Sequence, residues 1–221
     1  SNLTGIDSGL SSDSDGNTIG GTNAGDSITT GSNNTVIGKD SGTAITTGEQ
    51  NTALGAFSLD ANTTGNYNTG IGLNALTGNI TGSNNTALGV SALKTASTVS
   101  NSTAVGYFSL RANTTGAENT AVGSNSLVTN TTGTKNAALG AWSLRFNTTG
   151  DFNTAAGYQA LTANTTANNN TAFGYNTLQA NTTGTQNTAV GSLALDANTT
   201  ANSNVAMGYN TLGANTTGDQ Q

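Results

Sequence analysis

The chain contains no cysteine, no histidine and no proline, and only one methionine and one tryptophan among its 221 residues. Without thiolates or imidazoles it lacks the usual ligands for zinc, iron or copper and the usual nucleophiles and proton shuttles near neutral pH. No catalytic residue, no metal site and no cofactor is therefore expected. Charge is nearly as scarce: charged residues make up 7% of the chain and the formal net charge is −6. That balance excludes the basic stripe that binding a polynucleotide requires, so no nucleic-acid partner is expected. The longest apolar run is only a few residues, too short for membrane insertion, and the Ser1-Asn2 start is not that of a signal peptide. The chain reads as an interior piece of something longer.

What the chain has in abundance is Gly, Asn, Thr and Ser, and they recur in strict register. A glycine closes an Asn-Thr-Ala-(Val/Leu/Ile)-Gly pattern every seventeen residues, from Gly21 through Gly38, Gly55, Gly72, Gly89, Gly106, Gly123, Gly140, Gly157, Gly174 and Gly191 to Gly208. Twelve units run from Asn17 to Gln220 with neither insertion nor deletion. Globular loops drift in length, whereas a fixed period means that each unit is one coil stacked on the last. A low-charge, Gly/Ser/Thr/Asn-rich composition taken alone would suggest disorder, but the periodic aliphatic positions argue for order.

Numbering each unit from its Asn, aliphatic residues occupy two places. Place four holds Ile37, Leu54, Ile71, Leu88, Val105, Val122, Leu139, Ala156, Phe173, Val190 and Met207. Place nine is Leu in ten successive units: Leu59, Leu76, Leu93, Leu110, Leu127, Leu144, Leu161, Leu178, Leu195 and Leu212. Helix is a poor account of units dominated by Gly, Asn and Thr. The pattern predicts an all-β solenoid, a β-roll, with two short strands per coil: Thr-Ala-Val before the glycine and Ala-Leu-x-Ala after it. The glycines would make the turns, since glycine adopts positive φ at little steric cost.

Alternation along a strand puts neighbouring side chains on opposite faces. The expectation is that places four and nine share the core, so that Leu54 and Leu88 lie in it with the place-nine leucines. Places three and eight, small throughout, would then form an outer face closely approached by further copies of the chain. Two aliphatic side chains per coil offset only part of the entropy of ordering seventeen residues. Ladder hydrogen bonds, stacked Asn side chains and an intersubunit core are expected to supply the rest, and a homotrimer is the assembly favoured. At the usual spacing between strands, twelve coils would make a rod roughly 57 Å long.

The organisation expected is an N-terminal lead-in over 1–16, atypical first coils over 17–50 and regular repeats over 51–220. In the first two units Gly25 and Gly42 replace the place-nine Leu, while Ile28 and Ile45 stand where later units carry Asn. This three-place shift of the apolar column suits a capping region. Gln221 stands where the next unit would begin, so the array is expected to continue.

Asn153 to Leu161 (NTAAGYQAL), Asn170 to Leu178 (NTAFGYNTL) and Asn187 to Gly191 (NTAVG) resemble the NTAVGYQAL-type repeats of phage and phage-like tail fibre proteins. In that family such repeats form a fibre shaft, often followed by a chaperone domain that assists trimerisation. The Ala-(Val/Ile)-Gly strand is also similar to the head repeats of trimeric autotransporter adhesins, which build β-rolls in threes from a typically shorter unit. The resemblance implies a structural homotrimer at a virion surface or an extracellular cell surface. Any cell-surface glycan or receptor would be engaged through another part of the protein.

Several local features were weighed against plainer readings. Aromatic residues at variable places, among them Tyr107, Tyr158, Tyr175, Tyr209, Phe57, Phe108, Trp142, Tyr67 and Phe152, are expected to pack at seams or roof turns rather than stack on sugars. Asn-Thr-Thr begins at Asn62, Asn113, Asn130, Asn147, Asn164, Asn181, Asn198 and Asn215. Each is formally a glycosylation sequon, but stacked Asn ladders in a turn are the favoured account. Asp13-Ser14-Asp15-Gly16-Asn17 resembles half a calcium loop, yet no Glu follows at the spacing such loops need, and a solvated acidic turn is expected. Glu118 and Lys135 hold the same place in adjacent units and are expected side by side. Threonine columns at places two and fourteen raise a minor ice-binding alternative. The function expected is the shaft of a phage-type tail fibre extending a host-recognition end, with a bacterial adhesin as the alternative.

Overall fold

The computed structural model describes residues 10–221; the first nine residues of the lead-in lie outside the described residues. Thirteen short strands form one sheet in sequence order. They are β1 (Ser11–Ser12), β2 (Thr18–Gly20), β3 (Thr35–Ile37), β4 (Thr52–Leu54), β5 (Thr69–Ile71), β6 (Thr86–Leu88), β7 (Thr103–Val105), β8 (Thr120–Val122), β9 (Ala137–Leu139), β10 (Thr154–Ala156), β11 (Thr171–Phe173), β12 (Thr188–Val190) and β13 (Val205–Met207). β1 pairs antiparallel with β2. From β2 onward every pairing is parallel at an offset of seventeen residues, such as Thr52 with Thr69 and Leu54 with Ile71, or Thr188 with Val205 and Val190 with Met207. The chain is an all-β solenoid whose repeat is the sequence repeat.

Each coil carries one strand, at places two to four, and not the two expected. The Ala-Leu-x-Ala segment is a turn, because the place-nine residue is left-handed: φ is 50° at Leu59, 53° at Leu76 and 48° at Leu127. An extended strand needs negative φ, and an L-residue in this region costs about 1–2 kcal/mol. Full burial of the leucine returns roughly 1.5–3 kcal/mol, and Leu59 to Leu195 at this place are completely buried. The hydrophobic term therefore sets the backbone. Coils still hydrogen-bond here, Leu59 N–H to Ala75 O at 3.0 Å and Ala61 N–H to Thr77 O at 3.1 Å.

The turn glycines are as expected, with φ between 118° and 140° from Gly21 to Gly208. A second constraint acts on them. A Cβ on Gly55 would stand 2.8 Å from the carbonyl carbon of Gly72 in the coil above, so stacked backbones leave no space for a side chain.

The sidedness of the strand is the reverse of the expectation. Place three faces inward: Ala53, Ala87, Ala104, Ala121, Ala138, Ala155, Ala172 and Ala189 are completely buried. Place four faces outward, with Leu54 43% and Leu88 44% exposed, so neither belongs to the core. Leu212, in the last coil, is partly buried against the core cluster. The physical reason is the width of the coil. One leucine at place nine, small residues at places three and eight and two asparagines fill the interior, and nothing larger than Ala fits opposite that leucine.

Those asparagines are the polar half of the core. The place-one column is buried and ties coil to coil: Asn51 Nδ2 donates to Asn34 Oδ1 at 3.1 Å and to Gly65 O at 2.9 Å, while Asn68 N–H donates to Asn51 Oδ1 at 2.9 Å. A second column at place twelve does likewise, Asn130 Nδ2 donating to Asn113 Oδ1 at 2.8 Å and Gly133 O at 2.9 Å. Serines of place eight add a third, with Ser109 and Ser126 hydroxyls 3.1 Å apart. Buried amides are costly unless paired, and identical coils offer each the same partner at the same height.

Candidate functional site

Among the described residues, no group of three or more Asp or Glu side chains is placed to hold a metal ion. Among them, too, no helix is long and apolar enough to cross a membrane. What the fold presents are surfaces that repeat along the stack.

The most extensive is apolar. Place four and place six lie on either side of the turn glycine. Between them they carry Leu54, Leu73, Leu88, Val90, Tyr107, Val122, Leu139, Tyr158, Phe173, Tyr175, Met207 and Tyr209, all substantially exposed. Side-chain size at place four changes from coil to coil, Leu139 then Ala156 then Phe173, whereas place three is almost constant. That contrast is the signal that separates outside from inside: a fixed cavity demands a fixed volume, and a surface does not.

Beside it runs the threonine column of place two, from Thr18 through Thr120 and again from Thr154 to Thr188. The threonines of place thirteen donate along the stack to the next coil, Thr63 Oγ1 to Ile80 O at 3.0 Å and Thr131 Oγ1 to Thr148 O at 3.0 Å.

The aromatic residues are partly gathered. Trp142, Tyr158 and Tyr175 climb three successive coils with ring centroids 5.5 Å and 5.8 Å apart, and Tyr107 stacks on Phe108 at 3.8 Å. Arg111 lies over Phe108 at 4.5 Å, and Arg145 sits 5.3 Å from the Trp142 ring and 4.9 Å from that of Phe146. Arg111 and Arg145 share place ten with Lys94, one coil before Arg111, a recurrence that shows in the sequence only when the units are aligned.

The sequon asparagines from Asn113 to Asn198 stack as a ladder, as expected, whereas Asn215, half-buried in the last coil, donates to Gly218 O and leaves Asn198 Oδ1 without a partner. Asn62, Asn113, Asn130, Asn147, Asn164, Asn181 and Asn198 are completely buried, and in the folded chain no glycan can occupy them. The acidic turn closes on itself: the Asp13 carboxylate accepts from Asn17 N–H at 2.8 Å, Asn17 Nδ2 at 2.8 Å and Asp15 N–H at 3.0 Å. The Asn17 amide side chain, followed by its backbone N–H, holds the Asp13 carboxyl below the usual carboxylate range. Glu118 and Lys135 do occupy stacked places but form no ion pair. Lys135 Nζ lies 5.2 Å over the Phe152 ring instead, and the ion pair among the described residues joins Lys39 and Asp40 at 3.7 Å. An exposed Glu–Lys pair gains too little to outweigh a neighbouring ring.

No protein-family model matches the chain. Nor does any curated protein or solved structure match it.

Proposed function

We propose that this solenoid is the non-catalytic shaft of a phage-type tail fibre, at a virion surface, in which copies of the chain associate side by side as a homotrimer. The observation that carries this reading is the exposed apolar column at places four and six, which runs the length of the stack. A surface of that extent is characteristic of an interface. In a trimer about an axis parallel to the rod, association in register sets Phe173 against Phe173 and Ala156 against Ala156. The interface thus moves from the small residues of places three and eight, which are consumed by the coil's own interior, to the opposite side of the strand. The shaft of a bacterial surface adhesin would use the same geometry.

Ice binding is the second reading, favoured by one observation: the place-two threonines stand on the outer side of the strand beside the place-four aliphatics. Against it, Phe173 and Met207, 60% and 74% exposed, protrude from what would need to be a level face. The deciding measurement is native mass of the chain and of Leu88→Lys/Leu139→Lys. A trimer that the double substitution dissociates supports the shaft. A monomer at all concentrations, together with thermal hysteresis, would replace it with the ice-binding reading.

A further inference from the structure

Three of the five cationic residues of this acidic chain fall in one column: place ten reads Asp26, Thr43, Asp60, Thr77, Lys94, Arg111, Val128, Arg145, Thr162, Gln179, Asp196. Three of four successive coils are basic around Val128, and the nearest acids in the column are Asp60 before them and Asp196 after them. Stacking is direct here, since Thr95 N–H donates to Arg111 O at 3.2 Å and Thr129 N–H to Arg145 O at 3.3 Å. Lys94 and Arg111 are therefore one coil apart, roughly 5 Å, and Arg111 and Arg145 two coils, roughly 10 Å. A cleft of about 340 Å³ opens over this stretch, lined by Lys94, Thr95, Arg111, Ala112, Val128 and Thr129.

The surroundings add apolar ring faces to the charge. The Arg111 guanidinium lies 4.5 Å over the Phe108 ring, and that of Arg145 lies 5.3 Å from Trp142 and 4.9 Å from Phe146. The Arg145 Nε is buried without a hydrogen-bond partner. The Thr95 and Thr129 hydroxyls are committed to backbone carbonyls of the next coil, at 3.0 Å and 2.8 Å. The polar groups free to meet a ligand in the cleft are thus the cations.

We infer that the cleft over Lys94, Arg111 and Val128, with Arg145 one coil beyond its lining, binds a short stretch of acidic polysaccharide. Arg111 and Lys94 pair with a sugar carboxylate, Val128 meets the apolar face of a ring, and Arg145 takes a second carboxylate about a disaccharide further on. Guanidinium groups suit carboxylates through paired N–H donors. A nucleic acid fits less well, because the chain carries a net charge of −6 and a polynucleotide long enough to bind by charge would meet Asp60, two coils before Lys94, and Asp196, three coils past Arg145. Rings join place ten to the exposed apolar column: Phe108, under Arg111, stacks on Tyr107, and Trp142, beside Arg145, packs on Tyr158.

The test is calorimetric titration of the intact chain with tetragalacturonate, its methyl ester, and a short single-stranded DNA. The expected result is saturable binding of tetragalacturonate that weakens with salt, falls at least tenfold in Arg111→Gln and in Arg145→Gln with unchanged melting temperature, and is lost with the uncharged ester. Arg111→Gln is the decisive variant, because the residue is exposed and its loss leaves the core intact. Absence of binding, equal affinity for the ester, unchanged affinity in both variants, or tighter binding of DNA would each overturn the assignment.

Discussion

The first two coils and the shaft that follows fill the same cross-section from opposite sides. In the shaft the large residue is the place-nine leucine, with Ala at place three and Asn at place twelve. In the first two coils place nine is Gly25 or Gly42, place three is Ile19 or Val36, and Ile28 or Ile45 arrives from place twelve. Ile45 is completely buried, and a Cβ on Gly42 would stand 2.8 Å from its Cδ1 and 3.0 Å from Val36 Cγ1. The volume is conserved while its source changes. What the first coils give up is the second asparagine ladder, which begins only at Asn62, with Asn79 Nδ2 donating to Asn62 Oδ1 at 2.9 Å. The interior is thus specified by volume first and by polar pairing second.

The largest effect expected from breaking this arrangement is at the leucine itself. Leu127→Ala should cost about 2–5 kcal/mol in denaturant unfolding, whereas Leu139→Ala, outward-facing in the next coil, should leave monomer stability within about 0.5 kcal/mol. Equal losses would mean that the strand faces the other way. Converting a shaft coil to the first-coil solution sharpens the comparison. In a double-mutant cycle, Leu127→Gly with Asn130→Ile should lose less than the sum of the single changes, by on the order of 1–3 kcal/mol; strict additivity would show that the two residues do not share one volume.

Asn130→Ala should cost about 1–3 kcal/mol, because Asn113 Oδ1, the Gly133 carbonyl and Asn147 Nδ2 each lose a buried partner. A natural interruption shows how the fold tolerates such a loss. At Ala96 the ladder is broken, Asn79 Oδ1 is left without a partner, and Val99 fills the space at place fifteen where most coils carry glycine. The smallest effects belong to the surface. Glu118→Gln should change the melting temperature negligibly, since Lys135 is engaged with Phe152. The Asp13 carboxyl, held below its ordinary value, contributes to closure of the first turn above the unfolded carboxyl's pKa, and that contribution is lost as pH falls through the folded one. The exchange protection factor of the Asn17 N–H, followed through an acid titration, should fall in that range and stay level near neutral pH.

Much of the fold is legible in the sequence. The seventeen-residue spacing gave the stacking and its register, Gly38 to Gly208 gave the turns, and Asn62 to Asn198 gave a ladder in place of glycosylation sites. Two features were misjudged for one reason. Ala-Leu-x-Ala reads as a strand because Leu in the left-handed region is costly, and only burial at the centre of the coil makes it favourable. Leu54 and Leu88 read as core because they are large and apolar, although the variation at their place from Ala156 to Phe173 marks a surface. The basic column at place ten emerged only when the coils were stacked, because Lys94, Arg111 and Arg145 are ordinary scattered residues along the chain.

By itself the sequence determined the period, the in-register stacking and the places where glycine and asparagine are required, because those follow from each coil repeating its neighbour. Alternation along a strand fixes that places three and four point opposite ways, but not which of them points in. That was decided by how the coil closes: its interior has room for one leucine and small companions, so the alanine turned inward and the larger aliphatic was left outside.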